Sequence, residues 1–139
     1  MIKEKYVNFE IAKLLKEKGF DEKVNTFYKT DTEFLKSNLC INYNDDKFRL
    51  SDIHNIPENT VSAPTLQMAI DWLLEIHHYY IQVMLDSWAC GGHMGYYAVI
   101  QRTDNDFEIM LQDVCDKVFY DKPEDVYNDA IKYILENLI

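Results

Sequence analysis

Glycine and proline are scarce in this chain, four and three among 139 residues, and no apolar run approaches the roughly eighteen residues that a membrane-crossing helix needs. The first scarcity excludes linker-like and low-complexity sequence, because a chain with so little Gly and Pro and 47% hydrophobic residues can bury a core. The second predicts no membrane partner. The stretch MIKEKYVNFEIAKLL scatters charges among its apolar positions, so it reads as neither signal peptide nor anchor and points to a cytoplasmic protein. Cysteine is sparse as well: Cys40, Cys90 and Cys115 are odd in number and far apart, which predicts reduced thiols and no disulfide framework.

Basic residues thin out after position 50. Residues 1–50 carry nine acids and ten bases, residues 51–103 carry five acids against Arg102 alone, and residues 104–139 carry ten acids and three bases, for a net charge of −10. A phosphate backbone needs clustered Lys and Arg, so nucleic acid is not an expected partner. The acidic carboxy-terminal half suits attraction to a basic protein, or mimicry of nucleic acid, although such charge also keeps a small protein in solution. The motifs G-x-x-x-x-G-K-[ST], G-x-G-x-x-G and G-x-S-x-G are missing, and with them the common nucleotide-binding and hydrolase signatures.

What is present reads as alternating helices and strands. Asn8 is placed to cap a helix from Phe9 to Lys18, with Gly19 as a left-handed stop and Phe20 folding back on Leu15. KVNTFYK and NLCINYN read as two short strands or a hairpin, and RLSDIHNIPENTVS, with its mixed polarity, as a connecting loop. In SAPTLQMAIDWLLEIHH, Ser62 or Ala63 is placed to cap and Pro64 to occupy the first turn. Leu66, Ala69, Ile70, Leu73 and Ile76 then form the core-facing stripe. YYIQVMLDS, GYYAVIQRT and FEIMLQD read as an antiparallel meander joined at its second turn by Asp104-Asn105-Asp106. A last helix follows, with a capping box from Asp121 to Glu124 and an apolar face of Val126, Tyr127, Ala130, Ile131, Ile134 and Leu138. The expected architecture is a single α+β domain over 1–139. In it a small, mainly antiparallel sheet, built from the three-stranded carboxy-terminal meander and one or two short amino-terminal strands, carries three helices packed against it.

Three groups of residues are candidates for chemistry or binding. Cys90 and His93 sit in SWACGGHMGYY and could serve as thiolate and base, although the neighbouring Asp86 raises a thiol pKa and the glycines also suit a plain chain reversal. His77, His93 and Cys90 are the candidate metal ligands. No C-x-x-C or H-E-x-x-H spacing supports them, and adjacent His77 and His78 point about 100° apart on a helix. At a helix end His77 is instead expected to be half-buried, its positive charge complementing the dipole. Tyr80, Trp88, Tyr96 and Tyr97 are the candidate interface residues, since aromatics on an uncharged edge strand invite pairing with another chain. The expected function is therefore protein binding or self-association with no cofactor, and the alternative is a cysteine/histidine-centred enzyme or metal protein built on Cys90 and His93.

NFEIAKLLKEKGFDE (8–22), SAPTLQMAIDWLLEIHHYYI (62–81) and AIKYILENLI (130–139) resemble, in order and position, a recurrent family of small proteins from gut bacteria and their phages or integrated elements. The blocks cover under half of the chain and leave out SWACGGHMGYY. The resemblance implies an α+β domain and a mobile-element accessory context, and brings no activity and no catalytic residues.

Overall fold

The first helix, α1 (Phe9–Glu17), begins where the side chain of Asn8 accepts from Ile11 N at 2.9 Å. It ends in a complete Schellman motif: Gly19 takes φ 91°, Gly19 N donates to Lys16 O and Phe20 N donates to Leu15 O. Both ends are those that the residue types dictate. The computed structural model describes residues 3–31, 36–41, 60–86, 95–115, 117 and 119–139. The chain divides into two compact units, Met1–Thr65 and Leu66–Ile139.

In the first unit β1 (Thr26–Asp31) pairs antiparallel with β2 (Lys36–Ile41) on one side and β3 (Thr60–Ser62) on the other. The hairpin expected from the aromatic and β-branched segments is thus formed. β3 is an addition, because its three residues lie at the end of the stretch read as a loop. Its pairing continues in Ala63, whose N–H donates to Thr26 O while its carbonyl accepts from the buried Thr26 hydroxyl. Pro64 O accepts from Val7 N, and Tyr6 bridges to Thr65. Residues 62–64 are therefore spent on the sheet and do not cap the next helix. The residue before a proline is biased toward extended backbone, which favours this outcome at Ala63. Ile11, Ala12 and Leu15 of α1 are buried in the same unit as Val7, Phe20, Val24 and Val61.

The second unit begins with α2 (Leu66–His77), which buries Leu66, Ala69, Trp72 and Leu73. The buried arc is rotated toward Trp72 relative to the stripe read from the sequence, which leaves Ile70 only half-buried; Ile76, in the last turn of the helix, remains 55% exposed. A single left-handed residue, His78 at φ 63°, turns the helix directly into β4 (Tyr79–Asp86). β4, β5 (Gly95–Arg102) and β6 (Glu108–Met110) form the expected antiparallel meander. β6 is short because the chain turns helical at Leu111 into α3 (Leu111–Val114), anchored by the fully buried Leu111.

The last helix, α4 (Pro123–Asn137), buries Val126, Ala130, Ile131, Ile134 and Leu135, the last of these absent from the expected face. Its capping box does not form. Pro123 takes the first helical position, so Lys122 becomes the cap residue and Asp121 falls one residue too early. Helices α2 and α4 pack on each other and on β4 and β5, over the sheet face that carries Tyr79, Ile81, Ala98 and Ile100, all 5% exposed or less. The strands are thus distributed over two three-stranded antiparallel sheets, one in each unit, within an α+β class.

Candidate functional site

Cys90, His93 and Trp88 lie outside the described residues. His77 ends α2 with its ring edge-on to Trp72 at 4.6 Å between centroids. Its Nε2 is buried and finds no hydrogen-bond partner among the described residues. Burial first, then the charges of His78 and Arg102, hold the imidazole below its ordinary pKa. These effects work against the positive charge expected at the helix end, and the ring packs as an aromatic neighbour of the indole. Among the described residues no group of three or more His, Cys, Asp and Glu side chains is arranged to hold a metal.

The structure separates the three described aromatic candidates. Register pairs Tyr79 with Arg102, Ile81 with Ile100 and Leu85 with Tyr96 on the helix-covered face. Tyr96 is half-buried there, and its backbone exchanges both hydrogen bonds with Tyr120. Tyr97 is on the opposite face, half-buried, where its hydroxyl donates to Met84 Sδ and its ring meets Phe119 edge-on. Tyr80, also on that outer face, is 44% exposed. It stands four residues from Met84 along β4, roughly 13 Å from the Tyr97 cluster. Tyr80 alone presents a free-standing ring, with a hydroxyl that has no described partner.

Around Tyr80 the sequence reading missed the polar residues that matter. Across the three strands Tyr80 pairs with Gln101 and Gln101 with Glu108, forming one row on the outer face about 10 Å wide. Gln101 Nε2 donates to Glu108 Oε2 at 3.0 Å. Beyond the row lies the β5–β6 turn, and a concavity of about 380 Å³ opens between them, lined by Tyr80, Gln101, Thr103, Asp106, Phe107 and Glu108 among others.

The turn is held in one shape by local bonds. Arg102 N donates to Phe107 O, Thr103 N to His78 O, and Asn105 Oδ1 accepts from Phe107 N at 2.8 Å. Arg102 grips Asp104 through two parallel bonds of 2.7 and 2.6 Å and donates a third to the Tyr79 hydroxyl at 3.0 Å, which in turn donates to Leu138 O. These bonds push the guanidinium pKa further up, the Asp104 bond being the larger cause, and hold the Asp104 carboxyl below its ordinary value.

The consequence is a charge imbalance at the concavity. Among the described residues of its wall Arg102 is the only base, and Asp104 already neutralises it. Asp106, exposed and without a described partner, and Glu108, which has one amide donor, are left as net negative charge beside an exposed aromatic ring. Such a site attracts a cation that can stack on a ring and bond to carboxylates. One sequence signal pointed here: the single base of residues 51–103 stands two residues before Asp104, as a locally paired cation does. Comparison with protein-family models, with curated proteins and with solved structures finds no match for this chain.

Proposed function

We propose that this chain acts by binding a basic segment of another protein, whose Lys or Arg side chain enters the concavity between Tyr80 and the β5–β6 turn. The observation that carries the reading is that concavity: an exposed tyrosine ring, the carboxylates of Asp106 and Glu108, and a lone arginine already matched by Asp104. The net charge of −10 adds long-range attraction for such a partner and speeds encounter at low salt. The mobile-element context implied by the sequence resemblance makes a host protein with a basic surface the partner class to try first.

Titration calorimetry with a blocked Lys/Arg-rich peptide, against the same peptide carrying acetyl-lysine and citrulline, tests the reading. Each exposed ion pair or ring–cation contact contributes on the order of 0.5–1 kcal/mol. Tyr80→Ala is expected to weaken binding roughly two- to five-fold, and Asp106→Asn combined with Glu108→Gln roughly five- to thirty-fold. Lys132→Gln, on α4, is expected to leave it unchanged. Equal affinity for the charged and the neutralised peptide would overturn the reading.

A further inference from the structure

We infer that a second copy of this chain pairs with the outer edge of β4, in a single register, to form a two-fold dimer with a continuous six-stranded sheet. The direction of the β4 backbone groups follows from neighbouring bonds. Thr103 N donates to His78 O, and alternate residues of an antiparallel strand bond to the same neighbour, so the even-numbered residues of β4 face β5. On β5 the even-numbered residues face the other way, with Arg102 N bonded to Phe107 O and Tyr96 to Tyr120, which agrees. Tyr79, Ile81, Val83 and Leu85 therefore direct their N–H and C=O groups away from β5, and no described strand receives them. From Tyr79 to Leu85 the strand carries neither charge nor proline, the usual protections of an exposed edge.

Two-fold symmetry fixes the register. All four outward-facing residues are bonded only when Tyr79 lies opposite Leu85 of the second copy and Ile81 opposite its Val83, which places Gln82 on the axis. Sliding the copy by two residues one way leaves Tyr79 unbonded and sets Tyr80 against Asp86, and sliding it the other way leaves Leu85 unbonded. In the favoured register Tyr80 faces Met84 of the second copy. Gln82 faces its own counterpart, in the non-hydrogen-bonded pairs where side chains approach most closely. An amide both donates and accepts, so Gln82 is self-complementary. Asp86 comes to the end of the second copy's strand, opposite the exposed His78. The pairing also covers Leu85, 51% exposed on the helix-covered face. Because the axis is perpendicular to the sheet, both concavities beside Tyr80 open on the same side.

The inference rests on the β4 backbone and not on the peptide-binding reading, although Tyr80 belongs to both surfaces, and salt separates the two. Copies of charge −10 repel, so added salt is expected to strengthen the dimer, while it weakens attraction to a basic segment. Sedimentation equilibrium over a concentration series is expected to show a reversible dimer. Val83→Pro removes only an outward N–H, and Leu85→Lys adds a charge to an exposed position. Each is expected to raise the dissociation constant about ten-fold or more with an unchanged circular dichroism spectrum. Should Val83→Pro unfold the chain, Leu85→Lys and a cross-link decide. Gln82→Cys is expected to give a disulfide dimer joined at position 82 on both chains, identified by mass spectrometry, and Met84→Cys is not. A chain that is monomeric at its highest attainable concentration, or one that cross-links through Met84→Cys in preference to Gln82→Cys, overturns the inference.

Discussion

His78 makes the turn from α2 to β4 in one residue, and it does so at φ 63°, where a side chain with a Cβ is strained. Its carbonyl must stay in place to accept from Thr103 N, so the conformation cannot relax without loosening the β5–β6 turn. His78→Gly is expected to stabilise the fold by up to about 1 kcal/mol, read as a raised denaturation midpoint. The adjacent His77 behaves oppositely to an ordinary helix-end histidine. Its folded pKa lies below the ordinary value of 6.5, so the unfolded chain takes up its proton first as pH falls. The stability that this neutral ring contributes is present above pH 6.5 and is lost on acidification through and below it. Urea melts from pH 7.5 to 5 are expected to show that decline, and His77→Phe is expected to flatten it. At Gly95 the limit is space: an added Cβ would stand 2.7 Å from Phe119 Cβ. Gly95→Ala is expected to cost about 1–3 kcal/mol in the same assay.

The elements with self-contained signals were legible in the sequence. Asn8, Gly19 and Phe20 specify both ends of α1 through bonds to residues within five positions, and the structure contains those bonds. Asn8→Ala is accordingly expected to cost about 1 kcal/mol in a thermal or urea melt. The meander was legible too, because alternation and a polar turn are local patterns. Elements set by distant partners were not. β3 is three residues long and exists because β1 offers it an edge, and Pro64 fails to open α2 because Val7 and Thr26 claim the backbone on either side of it. The α2 stripe shifts away from Ile70 because the indole of Trp72 has more surface to bury, while Ile76, on the same side as Trp72, is left exposed in the last turn of the helix. The candidate site follows the same rule. Residue type alone singles out Tyr80, but Gln101 and Glu108 join it only through strand register, and Asp106 through a turn that Arg102 and Asn105 hold.

For the whole molecule, charge decides how it meets other proteins. The excess of acid lies in residues 51–139, the stretch that also holds the concavity beside Tyr80. Low salt should therefore favour a basic partner and disfavour a second copy, and raising salt should reverse that order. A dimer through β4 would present two concavities on one side, so a partner with two basic segments would bind with an avidity that Leu85→Lys removes while single-segment affinity stays the same. The most direct test of the binding reading is a chemical-shift map of isotope-labelled protein titrated with the Lys/Arg-rich peptide at two salt concentrations. The predicted result is saturable shifts concentrated at Tyr80, Gln101, Thr103, Asp106 and Glu108, weakening as salt rises. Shifts spread evenly over the acidic residues of α4, with none saturating at Tyr80, would contradict it.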